Sequence, residues 1–181
     1  MSSPLRITVA KATLATATRL AELGRQTFTE TFAAHNQPAD MAAFLAQAYG
    51  PAIQLAQLQD PQITFLLAEM QGQAVGYAQL GRGGALGLPP GQDASRQLEI
   101  KQLYVAEDWI GTGLGGALMR RILDLAQAGG YTSLVLGVWE HNARAIAFYQ
   151  RFGFKEIGEH EFVLGTDVQR DLILRKGLAG R

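Results

Sequence analysis

The chain has 181 residues, with 16 Lys+Arg set against 16 Asp+Glu, no cysteine and 21 glycines. Its length suits one compact domain around a single core, and 48% hydrophobic with 18% charged residues describes a globular protein rather than a disordered or membrane one. Balanced charge offers no basic face for nucleic acid, and the lack of cysteine excludes disulfides, thiolate zinc sites and a cysteine nucleophile while suiting a reducing, cytoplasmic setting.

The start of the chain lacks a cationic region followed by an apolar one, so no secretory signal is expected. Leu5 to Ala10 alternates Leu5, Ile7 and Val9 with Arg6 and Thr8, the period of a strand. Ala12 to Ala34 carries Leu20, Leu23, Phe28 and Phe32 at near-helical spacing. Asp40 is expected to cap a helix through Tyr49, and Ala52 to Leu58 to form another. Met41 to Gln59 holds no charge, but its four glutamines and Gly50-Pro51 break point to two short soluble helices, not a membrane span. Ile63–Glu69 and Ala74–Leu80 read as a hairpin. Gly81 to Ala94 contains five glycines and Pro89-Pro90 and reads as loop, either a connector or a lid over substrate.

Gln97 to Val105 is expected to be a strand, and Gly113 to Gln127 a helix with Leu114, Leu118, Ile122 and Leu125 on one face. Leu134 to Val138 is a buried strand, Asn142 to Phe152 a helix, with strands near 154–158, 161–164 and 171–175. These elements predict one domain over 1–181, an α/β fold with a mixed sheet and a parallel pair where strand 97–105, helix 113–127 and strand 134–138 form a βαβ unit.

The glycines concentrate at Gly111-Thr112-Gly113-Leu114-Gly115-Gly116, between a strand and a helix. Glycines let backbone N–H groups surround an anion, and a helix N-terminus adds a favourable dipole. A phosphate site is the physical reading, against an unliganded glycine turn. The string also fits a dinucleotide fingerprint, with Glu140 as the ribose acid. However, Ala106 to Ile110 intervene where that fingerprint wants an immediate turn, and about 40 residues after Glu140 are too few for a second nucleotide-binding half. No G-K-[S/T] ends the run, so a P-loop is excluded.

Val105 to Gly115 resembles the acetyl-CoA pyrophosphate loop of the GNAT (GCN5-related N-acetyltransferase) superfamily, with Ile110 where that family usually has Arg or Gln. Asn142-x-x-Ala145-x-x-x-Tyr149-x-x-x-Gly153-Phe154 resembles the second half of its signature. Phe28 to Phe32, Asn36, Asp40-Met41, Gly137 to Asn142 and Gly158 to Asp167 are similar to the PaiA-type branch of polyamine acetyltransferases. This resemblance implies a bacterial, cytoplasmic N-acetyltransferase that transfers an acetyl group from acetyl-CoA to a primary amine such as spermidine or spermine. The implied fold is a mixed, mostly antiparallel sheet with a splayed central parallel pair, flanked by helices over about residues 5–176. Superfamily relatives are often dimers. Neither nucleic acid nor a membrane is an implied partner.

The same resemblance implies the site. Backbone groups of Leu103, Tyr104 and Val105 would hold the pantetheine arm and acetyl carbonyl, Gly111, Thr112, Gly113, Leu114, Gly115 and Gly116 the pyrophosphate, and Asn142 the cofactor arm. Tyr149 would lie near the sulfur, where a phenol can protonate a leaving thiolate; otherwise it is a core tyrosine. Glu99 is the candidate base for deprotonating the amine, with a solvated carboxylate paired to Lys101 or Arg96 as the alternative. His141 could cap the helix after Asn142, and His160 could line the acceptor side. Glu30, Glu99, Glu140 and Glu161 are carboxylates that could receive a cation. His35, His141 and His160 lack metal-ligand spacing, so no metal is expected. Without a cysteine or a G-x-S-x-G elbow, direct attack by the amine in a ternary complex is expected. Protein or peptide N-terminal acetylation, and an acyl-CoA-binding regulator without catalysis, are the alternatives.

Overall fold

The computed structural model describes residues 4–179. In chain order the elements are β1 (Arg6–Val9), α1 (Leu14–Phe32), α2 (Pro38–Ala48), α3 (Pro51–Gln59), β2 (Ile63–Met70), β3 (Gln73–Arg82), β4 (Gln97–Val105), α4 (Leu114–Ala128), β5 (Ser133–Trp139), α5 (Ala143–Arg151), β6 (Lys155–Leu164) and β7 (Asp167–Gly177). The strands form a mixed sheet of order β1-β2-β3-β4-β5-β7-β6. Two compact units can be distinguished, one running up to Gln79 and including Gln102–Arg121, the other made of Leu80–Lys101 and the chain from Ile122 on.

In the first unit, Thr13 caps α1 by accepting the Thr16 N–H at 3.2 Å. The α1 stripe Leu20 and Leu23 packs on Phe65 and Leu67 of β2, Tyr77 of β3, and Ala106 just past β4. A fully buried Leu or Phe contributes roughly 1.5–3 kcal/mol over an exposed one, so this cluster outweighs any single surface contact of α1. The turn between β2 and β3 is Gln71-Gly72, both at positive φ (51° and 79°), as a two-residue hairpin turn requires. On β3, Gly76 leaves room for α4: a Cβ there would meet Leu114 Cδ2 at 3.0 Å and the Tyr104 carbonyl at 3.1 Å. The absence of a side chain brings the first turn of α4 close to the end of β4.

In the second unit, β4 runs parallel to β5, with Gln97, Leu98 and Glu99 opposite Ser133, Leu134 and Val135. A parallel pair needs a crossover, which α4 supplies. β7 lies antiparallel to both β5 and β6. Leu134, Val135, Leu136 and Leu174 are at most 1% exposed and form the centre of this unit.

Three details differ from expectation. Asp40 is not the cap of α2: Pro38 takes the first helical turn with Gln37 before it, and Asp40 sits inside that turn, where a carboxylate meets the positive end of the helix dipole. Strands 154–158 and 161–164 are one strand, β6, because the register shift between Glu156 and Gly158 absorbs Ile157 as a bulge instead of ending the strand. β3 runs on to Arg82, so the glycine-rich loop starts at Gly83.

Candidate active site

The first unit contains the glycine loop. Leu103, Tyr104 and Val105 end β4 half-buried, and the Ala106 N–H donates to the Val75 carbonyl at 2.9 Å. A single 3-10 turn, Glu107–Trp109, follows. The Glu107 N–H at its start donates to Glu30 Oε2 at 3.0 Å, and Gln26 Nε2 holds the other oxygen at 2.8 Å. Glu30 therefore secures this turn rather than standing ready for a cation. Thr112 Oγ1 donates to the Trp109 carbonyl at 2.6 Å.

Gly111 and Gly113 take φ of +81° and +89°, where an L side chain is strained whatever space surrounds it. The Ala117 N–H donates to the Gly113 carbonyl at 3.0 Å and opens α4. The N–H groups of Leu114, Gly115 and Gly116 thus precede the first carbonyl of their own helix that could receive them. Leu114 is 3% exposed and anchors the turn from inside, while Gly111, Thr112 and Gly113 are exposed. Free N–H groups at a helix start, flanked by bare glycines, fit a phosphate. Ile110, in place of an Arg or Gln, is 37% exposed.

One polar network of this unit carries no signature in the residue spacing. Tyr77 donates to Gln102 Oε1 at 3.0 Å, and Gln102 Nε2 donates to the Tyr49 hydroxyl at 3.2 Å. Burial raises both phenols above their usual range, so they stay neutral and act as hydrogen-bonding posts. They fix Gln102 immediately before the Leu103–Val105 backbone. The available signal was Gln102 at the period-two position that follows Leu98 and Ile100, where a polar side chain requires partners when it is buried.

The second unit contains the residues of α5. Asn142 Oδ1 accepts the Ala145 N–H at 3.2 Å and caps the helix. His141 does not: it meets Trp139 edge-on at 5.3 Å, with Nε2 at 3.6 Å from Glu140. With Oδ1 used by the cap, the Asn142 amide nitrogen is the group left for a ligand. Tyr149 is 8% exposed, its ring packed against Phe148 at 5.4 Å and Phe154 at 5.7 Å. No hydrogen bond holds its hydroxyl among the described residues, and burial pushes the phenol well above its ordinary range.

Glu99 lies on β4 with Lys101 Nζ at 3.6 Å and the Gly84 backbone packed over its carboxylate. Glu140 is bound by Arg170 at 2.6 Å, and the same guanidinium reaches Glu159 at 2.8 Å. Of the four carboxylates nominated for a cation, Glu30 and Glu140 thus have structural partners and Glu99 has a lysine. Among the described residues no group of three or more His, Cys, Asp or Glu could hold a metal ion, and no helix is long and apolar enough to cross a membrane.

The sequence profile of the Acetyltransferase (GNAT) family matches residues 18–154, which takes in both the glycine loop and the Asn142–Tyr149 helix. The chain belongs to that family. It is 33% identical over 156 residues to an uncharacterised N-acetyltransferase of Lactobacillus delbrueckii subsp. lactis, covering 86% of this chain and 88% of that one. It is 32% identical over 162 residues to an uncharacterised N-acetyltransferase of Mycobacterium tuberculosis, covering 90% of this chain and 97% of the other. In fold it is similar to the crystal structure of the PaiA N-acetyltransferase of Thermoplasma acidophilum in complex with coenzyme A, at a TM-score of 0.76 and 17% identity, over 97% of this chain and all of that one.

As a GNAT acetyltransferase the protein is an enzyme whose acetyl donor is acetyl-CoA. The glycine loop is chemically suited to the donor's pyrophosphate, and the Tyr149 phenol, kept neutral by burial, retains its proton.

Proposed function

We propose that this GNAT enzyme, acting as a single N-acetyltransferase domain over 1–181 in the cytoplasm, acetylates a primary amine of the polyamine class, spermidine or spermine, by direct attack in a ternary complex. Acetyl-CoA, when bound, supplies the acetyl group as a thioester. The N–H groups of Gly111 to Gly116 would hold its pyrophosphate, the Leu103–Val105 backbone its pantetheine arm and acetyl carbonyl, and the Asn142 amide nitrogen the same arm.

The observation that carries the reading is Tyr149: the residue is 8% exposed, its phenol is kept neutral by burial, and its hydroxyl has no structural hydrogen bond among the described residues. Such a group adds little to stability, and proton donation gives it a use. Its raised pKa does not disqualify it, because the burial that disfavours phenolate disfavours a thiolate beside it as well. Polyamines as acceptors are supported by the motifs shared with the PaiA-type branch and by the fold likeness to the Thermoplasma PaiA enzyme.

The test is thiol release from acetyl-CoA over a panel of polyamines, amino acids and peptides. Spermidine or spermine is expected to give the highest kcat/KM. Faster turnover of a peptide N-terminus than of any polyamine would overturn the substrate assignment and favour protein acetylation.

A further inference from the structure

We propose that His160 Nε2 accepts the proton of the incoming ammonium group, with the Asp171 carboxylate beside Nε2 favouring the imidazolium that forms. The inference deepens the amine-acetylation reading and rests on it.

The tautomer follows from one contact. His160 Nδ1 lies 3.0 Å from the Glu161 carbonyl oxygen, which can only accept. In the neutral ring Nδ1 therefore carries the hydrogen, and Nε2 presents its lone pair. That nitrogen lies against a particular place. His160 lies on β6, with β7 between it and β5, yet Nε2 would stand 2.7 Å from a Cβ on Gly137 of β5. The ring leans across β7, and any side chain at position 137 would displace it.

Gly137 is also the one exposed position between Ser133 and Val138, in a strand otherwise buried over that stretch. Solvent thus reaches the strand at the residue beside Nε2. Asp171, the register partner of His160, places Oδ2 3.9 Å from Nε2 and 3.5 Å from the same Cβ position. Burial lifts the Asp171 carboxyl above its usual range, and the His160 charge pulls it down. No lysine or arginine bridges Asp171 among the described residues. The groups facing Nε2 are then Asp171 from β7 and the bare backbone of Gly137 from β5, while Glu159 on His160's own strand belongs to the Arg170 cluster.

Glu99 shares this face, since its parallel partner Val135 lies two residues before Gly137. Glu99 is the weaker base candidate, because Lys101 lies beside its carboxylate and Gly84 covers it. The proton balance closes with His160. Nε2 takes one proton from the ammonium, which frees the nitrogen lone pair for the C–N bond. The C–S bond breaks, and sulfur leaves with a proton from Tyr149. The acylated nitrogen loses its surplus proton, which restores Tyr149, and the imidazolium returns its own to solvent.

The decisive variant is His160→Gln, whose amide can still donate to the Glu161 carbonyl but cannot act as a base. With the best amine of the panel, kcat is expected to fall about 10²-fold, with acetyl-CoA affinity and Tm unchanged. The acidic limb of the kcat/KM–pH profile should vanish. Gly137→Ala should mimic the loss by displacing the ring. Asp171→Asn should keep the limb but move it to lower pH, which a merely structural histidine would not produce and which does not depend on the His160 variant folding. A His160→Gln enzyme within twofold of the parent, or one retaining the same limb, overturns the proposal. If the best amine is a peptide, the polyamine assignment falls while the His160 measurement still decides this proposal.

Discussion

The sharpest test of the glycine loop is substitution at Gly113. Its φ of +89° lies where L residues are strained, and nothing stands within 4 Å of a Cβ built there. The expected cost is therefore conformational, not steric: about 1–2 kcal/mol for holding a non-glycine residue in the left-handed region. Since 1.4 kcal/mol is a tenfold change, and the exposed loop of a Gly113→Ala variant would relax out of this conformation when no donor is bound, acetyl-CoA binding should weaken roughly five- to thirtyfold, with kcat at saturating donor nearly unchanged. Asparagine tolerates this region better than alanine, so Gly113→Asn should bind more tightly than Gly113→Ala despite its larger side chain. Titration calorimetry with coenzyme A and the KM for acetyl-CoA report both effects. If affinity instead falls in order of side-chain volume, with Asn worse than Ala, the cost is a blocked ligand and the strain argument is refuted. If Ala changes nothing, the loop does not hold the donor in this conformation.

Tyr149→Phe should lose thiol release by at least about 10²-fold while keeping the parent Tm, because no hydrogen bond to the hydroxyl is lost among the described residues; undiminished turnover refutes the acid role. As burial raises that pKa, the acid form persists to higher pH than a free phenol, so kcat should show no alkaline decline through the ordinary phenol range, read as a kcat–pH profile. Arg19 and Arg6 hold the Glu69 carboxyl below its usual value near 4.5. A depressed carboxylate stabilises the fold above its unfolded pKa and loses that contribution as pH falls through the folded value. The Tm gap between parent and Glu69→Gln should be open at pH 7 and close as the pH falls below the ordinary glutamate range. Gln97→Leu would strand the Gly84 and Leu86 carbonyls, each held at 3.0 Å by Gln97 Nε2. It removes one buried unpaired oxygen, Gln97 Oε1, at the same time. The net cost is expected to be about 1–3 kcal/mol, seen as a lower Tm and faster proteolytic nicking within residues 83–96.

Much of this was legible from residues alone. β4 is bounded by turn-forming segments, and its Leu98/Ile100 alternation followed by the Leu103–Val105 run lets Gln97–Val105 be read without shift. The Asn142 and Gly153 positions frame α5 with a cap and a breaker, one at each end. Ile157-Gly158 misled for a local reason: a glycine in a strand pattern signals a break or a bulge alike, and only the pairing with β7 selects the bulge. Similarly, four exposed-looking glutamates give no hint of which partner each will meet. Glu30 and Glu107 are distant in sequence, as are Glu140 and Arg170, and their contacts arise only once helices and strands have docked.

Local rules thus determined most of the elements and the glycine turn at Gly111–Gly116. Each depends on residues within a turn or two of one another, where φ preference, capping and hydrophobic period act directly. Tertiary structure alone decided which carboxylates stay available and brought His160, Asp171 and Gly137 together from three strands. No spacing rule encodes that meeting, because it depends on strand order and register. The same holds for Tyr149: its motif names the residue, whereas its burial, and hence its persistence as a neutral phenol, is a property of the packing around α5.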